Sequence, residues 1–167
     1  LKHNRSKGIA VNKIPMKKAS ELFGILNIVF FSPEDLNIIK NGPSERRHFL
    51  DAELCQLDKI YLSDLSNYNK ILNQRNKLLK DMVYRPELSD TLPVWDMQLI
   101  DTGKKIIRRR EQFVKELNEI VHEIHYRISG GKEELFLSYE PSVSADMMEQ
   151  EIERVKPRDL KQCQTSV

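Results

Sequence analysis

The sequence predicts an α+β chain that is mostly helical, with a long antiparallel helical hairpin between β-containing portions at about residues 1–40 and 134–140. Three observations predict it. Two stretches, about 59–82 and 94–127, carry apolar residues at alternating steps of three and four, which lays one stripe along a helix. Only a loop bounded by Pro86 and Pro93 separates them, so the two helices should fold back on each other. Short apolar, partly β-branched runs outside the hairpin, such as Ile28 to Phe31, read as strands.

Taken in order, Leu1–Arg5 and Ile9–Val11 flank Ser6-Lys7-Gly8, a plausible hairpin loop with glycine at the left-handed position. Asn12-Lys13 makes a second tight turn before Ile14, and Ser20 to Leu26 suits a short helix. Ile28 to Phe31 is continuous enough for a strand buried on both faces, which needs neighbouring strands. Ser32-Pro33-Glu34-Asp35 is a helix start: a capping serine, a proline at the first position, and two acids at the positive end of the helix dipole. Asn41-Gly42-Pro43 stops that helix, and Pro43-Ser44-Glu45 starts another that runs to about Leu57.

The first long helix, from about Lys59 to Met82, has the stripe Leu65, Tyr68, Leu72, Leu79 and Met82, with Arg75 as the one charged member of the row. The second, from about Val94 to Arg127, has Leu99, Gly103, Ile106, Phe113, Leu117, Ile120 and Ile124, interrupted by Arg110. At 1.5 Å per residue it is roughly 50 Å long. Ser129-Gly130-Gly131 breaks it. Glu134 to Tyr139 alternates as a strand does, Ser144 to Val155 reads as a capped helix, and Pro157 restarts the chain in a last helical turn.

Composition narrows the function classes. With 40% hydrophobic and 31% charged residues the chain reads as an ordinary soluble, helix-rich protein. A formal net charge of +2 is too small to announce a nucleic-acid binder, so such a role rests on local clustering. Two distant cysteines without a CxxC pair fit a reducing, cytoplasmic setting. The longest apolar run, Ile25 to Phe31, is far short of the ~20 residues of a membrane span, and no signal peptide is visible. The opening Leu1-Lys2-His3-Asn4-Arg5 reads like the middle of a strand, and both ends look like cuts inside a longer protein.

Several chemical motifs fail. Neither GxxxxGK[ST] nor GxGxxG is present, and Gly130-Gly131-Lys132 is too short to cradle phosphates. In His122-Glu123-Ile124-His125 the histidines are three apart, so HExxH is not met and a solvated helix face is the better reading. Glu34 and Asp35 are adjacent on a helix and point apart, which argues for dipole complementation rather than paired acid–base work. The basic groups carry more. Arg46-Arg47 follows a Gly-Pro turn, and Lys104, Lys105, Arg108, Arg109, Arg110 and Lys115 cluster against only Asp101 and Glu111. Such a patch can neutralise phosphates. The plainer reading is a solvated face with ion pairs to the partner helix.

Phe31-Ser32-Pro33-Glu34-Asp35-Leu36, followed by Ile39-Lys40-Asn41-Gly42-Pro43-Ser44-Glu45-Arg46-Arg47-His48-Phe49-Leu50-Asp51, resembles a stretch characteristic of RecF proteins. So do Tyr68, Leu72, Gln74-Arg75-Asn76 and Leu78-Leu79, then Tyr139, Pro141-Ser142-Val143, and Thr165-Ser166-Val167. His48 stands where the family commonly has arginine. The resemblance covers nearly the whole chain in order. It implies an internal piece of an ATPase of the ABC/SMC class: a partial ATPase β-subdomain over 1–40, an inserted helical arm domain over 41–130, and a strand and helix returning to the core over 131–167. The phosphate loop would precede Leu1, and the signature and magnesium-binding motifs would follow Val167. This chain would then hold no catalytic residue, metal site or cofactor, and ATP and Mg would belong to the longer protein, a weak ATPase.

The resemblance also implies partners. These are double-stranded or gapped DNA, recombination-mediator proteins and a second copy in an ATP-dependent homodimer, with no membrane role. Arg46, Arg47, Lys104, Lys105, Arg108, Arg109 and Arg110 are the expected DNA-binding residues. Ser32 and Glu34 are expected at a nucleotide-sensing loop, although the usual aromatic-Gln-x-Pro pattern lacks its glutamine here. The alternative is a structural or scaffolding arm that binds a protein partner. Burial of Arg110 and Arg75 against carboxylates would favour it.

Overall fold

The computed structural model describes residues 8–30 and 32–167. The chain divides into two compact units, Leu1–Leu62 and Ser63–Val167.

In the first unit, β1 (Ile9–Val11) and β2 (Ile14–Met16) pair antiparallel, with Ile9 opposite Met16 and Val11 opposite Ile14. Asn12 and Lys13 both take positive φ, 50° and 69°, which gives the two-residue turn whose twist matches that of the strands. The expected pairing of Leu1–Arg5 across Ser6-Lys7 lies outside the described residues. Ser20 to Leu26 is tighter than an α-helix: a 3-10 turn over Ala19–Leu22, then a hydrogen-bonded turn in which the Ile25 and Leu26 N–H groups donate to the Leu22 carbonyl. The buried strand expected at Ile28 to Phe31 is not there. Residues 28–30 are irregular, Val29 is 97% exposed and Phe30 81%, while Phe31 lies outside the described residues. A strand needs a neighbour to take its N–H and C=O groups, and among the described residues the only sheet is the two-stranded hairpin. Ile28 N–H donates instead to the Gln56 side chain at 3.2 Å.

Ser32 starts a 3-10 turn, Pro33–Leu36, continued by α1 (Asn37–Lys40). Asp35 closes the turn by accepting the Ser32 N–H at 2.6 Å. Gly42 caps α2 (Pro43–Leu57) with proline at its first position. Asp58 then accepts the N–H groups of Ile60 and Tyr61 at 2.9 and 3.0 Å and starts α3 (Lys59–Asp81). Among the described residues Leu54, Cys55 and Tyr61 are the buried ones of this unit, and the Tyr61 hydroxyl donates to Asp51.

The second unit is the helical hairpin and its cover. From Ser63 on, α3 leads through a 3-10 turn (Pro86–Thr91) to α4 (Leu92–Ile128), 37 residues in one helix. The pairing is antiparallel: Arg75 meets Asp96, and further back along α3 Tyr68 lies against Gly103, further on along α4. Leu79, Leu92, Leu99, Ile106, Phe113 and Val114 form the buried seam. A fully buried leucine such as Leu99 contributes about 1.5–3 kcal/mol. Ile120 and Ile124, expected on the same stripe, are exposed. Gly130 and Gly131, both at positive φ, end α4.

The strand expected at Glu134–Tyr139 is an unpaired strap. Its Leu137 N–H donates to Asn118 Oδ1 at 2.6 Å, and Phe136 stacks on His122 with ring centres 5.0 Å apart. As at 28–30, the alternation of side chains supplies no hydrogen-bonding neighbour. Helix α5 (Met148–Gln162) lies on α4 and runs through Pro157 instead of restarting there. Pro157 and Glu153, whose carbonyl loses its donor, are both exposed, so water can take that carbonyl. Meanwhile Met148, Ile152, Val155 and Asp159 anchor the buried face on both sides.

Candidate functional site

The α4 patch lies within the second unit. A helix turns 100° per residue, so Lys104, Arg108 and Lys115 share one line and Lys105 and Arg109 the next. Arg110 falls on the apolar side. There its charge, with that of Arg75, opposes the upward push that burial gives the Tyr68 phenol. Lys104, Lys105, Arg108, Arg109 and Lys115 each stand near a carboxylate. Lys104 is 3.9 Å from Glu149, Lys105 2.8 Å from Asp101 and Arg108 3.1 Å from Asp146. Arg109 is 3.7 Å from Glu116, and Lys115 is 3.0 Å from Glu111. The Asp101 hydrogen bond and charge hold Lys105 above its ordinary value. The patch is therefore closer to neutral than residues 101–115 alone imply, because Glu116, Asp146 and Glu149 come from outside that window. The pairs of Lys105, Arg108 and Lys115 are exposed, and such pairs are worth about 0–1 kcal/mol each, so a phosphate can displace their carboxylates; Lys104 and Arg109 are half-buried.

In the first unit, Arg46 is partly spent on structure. Its Nη1 donates to the carbonyls of Asn41 at 2.9 Å and Ile38 at 3.2 Å, closing the C-terminal end of α1. Arg47 beside it is exposed. At the start of the 3-10 turn, hydrogen bonds from the Ser32 hydroxyl and from its own backbone N–H hold the Glu34 carboxyl below the usual carboxylate range. Glu34 is exposed and Ser32 half-buried.

His122 and His125 take structural contacts, His122 on Phe136 and His125 Nε2 at 3.7 Å from Glu133. Among the described residues no three metal-ligating side chains converge, and no helix is long and apolar enough to cross a membrane.

The most developed polar cluster was only half visible in the sequence. Arg75, fully buried, donates from Nε to Asp96 at 2.7 Å and from Nη1 to Asp159 at 2.7 Å and the Thr165 hydroxyl at 2.8 Å. Lys156 reaches Asp96 at 3.3 Å, and Asn76 Oδ1 accepts both the N–H and the hydroxyl of Thr165, at 2.8 and 2.7 Å. Burial pulls Lys156 down, but its bonds to Glu153 and Asp96 outweigh this and leave it above its ordinary value. Arg75 stood out as a charge on an apolar row; its partners did not. The same signal marks them: Asp96 shares the row of Leu92, Leu99 and Gly103, and Asp159 that of Met148, Ile152 and Val155.

Comparison with known proteins bears on this architecture. No family model matches the chain. It is 66% identical over 167 residues to the DNA replication and repair protein RecF of Agathobacter rectalis, covering 100% of this chain and 46% of that protein. It is 59% identical over 163 residues to the RecF of Lachnospira eligens, covering 96% of this chain and 45% of the relative. Among solved structures, the recombination mediator protein RecF-ATP in the RecFOR pathway superposes with a TM-score of 0.83 at 32% identity, over 97% of this chain and 46% of that one. The chain spans about half the length of the curated relatives it matches. Agreement over its whole length, in sequence and in fold, means that the chain belongs to the RecF family.

Proposed function

We propose that this chain is the helical arm and adjoining core portion of a RecF-type, ATP-dependent DNA-binding protein that acts in recombinational repair and replication-fork maintenance. The observation that carries the reading is the likeness to RecF over the whole chain, including the hairpin and its cover. In the longer protein, ATP with magnesium closes two copies on each other. The arms contact double-stranded or gapped DNA, and recombination-mediator proteins act beside them. A ligand that binds the closed pair better shifts the population toward it. Ser32 and Glu34 serve as the nucleotide-sensing loop. The exposed Glu34 carboxylate, which stays ionised to lower pH than usual, suits a magnesium ion or an attacking water.

Lys104, Lys105, Arg108, Arg109 and Arg110, with Arg46 and Arg47, supply the phosphate contacts. The test is anisotropy of a labelled duplex across a salt series. For Z phosphates contacted, log K falls against log salt with a slope of about −0.9Z. Replacing Arg108, Arg109 and Arg110 with alanine should flatten the slope by roughly one unit per lost contact. Asp146→Asn with Glu149→Gln should tighten binding, because both carboxylates compete with phosphate. A second reading, a scaffolding arm for a protein partner, is favoured by one observation: Arg75 is buried against carboxylates, and patch cations such as Lys105 and Arg108 are already paired. Absence of duplex binding at low salt, in the chain and in the Asp146–Glu149 variant alike, would decide for it.

A further inference from the structure

We propose that residues Cys163–Val167 form a releasable latch on the second unit, docked through Thr165 onto a clasp made by Arg75, Asp96 and Asp159. The clasp has two parts that differ in burial. Arg75 and Asp159 are 0% exposed and Asp96 is 3% exposed. Pulling them apart would strand charge in the interior, so this part stays closed while the unit is folded. Thr165 and Asn76 are only half-buried. Detaching Thr165 gives up its two bonds to Asn76 Oδ1 and one from Arg75 Nη1, but the half-buried Thr165 and Asn76 replace their bonds with water and Arg75 Nη1 keeps Asp159.

The turn that delivers Thr165 opposes the docking. Helix α5 ends with Cys163 in the left-handed conformation, φ 51° and ψ 35°, which a residue with a β-carbon adopts only at a cost. The reversal is closed by the Gln164 N–H on the Asp159 carbonyl at 3.2 Å, the bond of a glycine-type helix end with no glycine in it. Asp159 thus serves both parts: its carboxylate holds Arg75 and its carbonyl holds the turn. Strain at Cys163 favours release, and the Thr165 bonds favour docking. This makes the segment an element with two states of comparable free energy, whose balance α3 sets through Arg75 and Asn76. The latch also fixes the direction in which the chain leaves α5.

Amide hydrogen exchange on the full chain tests this, read at Gln164 and Thr165 with Leu79, Leu99 and Ile152 as internal references. Thr165→Val keeps the shape and removes the hydroxyl. It should speed exchange at 164 and 165 by about tenfold, the effect of one to two lost bonds, and leave the references unchanged. Cys163→Gly relieves the left-handed strain and should slow exchange at the same two amides by about fivefold. This sign is opposite to that of general loosening. The proposal is overturned if Thr165→Val leaves 164 and 165 unchanged or speeds the references equally. It is likewise overturned if Cys163→Gly fails to slow them.

Discussion

Removing the Arg75 guanidinium should be the most damaging single change in the second unit. Arg75→Met fills similar space without charge. It leaves Asp159, fully buried, without the Arg75 partner of its Oδ2, while its Oδ1 has no hydrogen-bond partner among the described residues to begin with. Asp96 fares better, because Lys156 stays 3.3 Å away. One orphaned buried carboxylate and one lost pair correspond to about 3–5 kcal/mol. With a urea slope of about 2 kcal/mol per molar, the unfolding midpoint should fall by roughly 2 M. Trp95, the single tryptophan, adjoins Asp96 in α4, so its fluorescence reports this unit directly. The decisive comparison is Arg75→Met combined with Asp159→Leu. Removing the Asp159 charge as well leaves only Asp96 buried, with Lys156 still beside it, and the double variant should be more stable than Arg75→Met alone by about 2 kcal/mol or more. If the two changes simply added, or if Arg75→Met cost less than about 1 kcal/mol, the account of Arg75 as the charge that makes Asp159 tolerable would be wrong.

Two further predictions concern the same packing. A β-carbon at Gly103 would lie 2.2 Å from Met148 Cε and 3.4 Å from the Tyr68 ring, so Gly103→Leu should lower the urea midpoint by an equivalent of about 1–3 kcal/mol, although leucine is the better helix former. Adding Met148→Ala should recover part of that loss. Burial raises the Tyr68 phenol above its usual value, with Arg110 and Arg75 pulling back. Its contribution to stability is therefore full below pH about 10 and lost as pH rises through the folded value. Tyr68→Phe should remove a phenolate absorbance step that lies above the ordinary tyrosine range.

The helices were legible because their signals are local. Ser32, Pro33, Pro43 and the Gly130-Gly131 pair act within one turn of where they stand, and the stripes of α3 and α4 repeat over several turns. The two missed strands fail for the opposite reason. Ile28 to Phe30 and Glu134 to Tyr139 have strand-like side chains, yet a strand exists only when another backbone lies beside it. Pro157 was misread because the face that holds α5 together continues past it to Asp159. At the candidate site, the cations were found by counting neighbours in sequence. Half of what decides their electrostatics is remote: Asp146 lies 38 residues from Arg108, and Asp159 lies 84 from Arg75. A charged residue on an otherwise apolar row, Arg75 in α3, Asp96 in α4 and Asp159 in α5, was the available sign that they would meet.

The way α4 is mounted has a mechanical consequence. Its buried residues run from Leu92 to Val114. Beyond them Lys115–Ile128 continues for roughly 20 Å, splinted by the strap through Asn118 and His122. A rod gripped along one part and free along the rest is a cantilever. Over the roughly 20 Å beyond the grip, a tilt of about 5° displaces the far end by about 2 Å. Repacking too slight to disturb any single contact near Gly103 would therefore arrive at Ser129 as a displacement of the whole helix end.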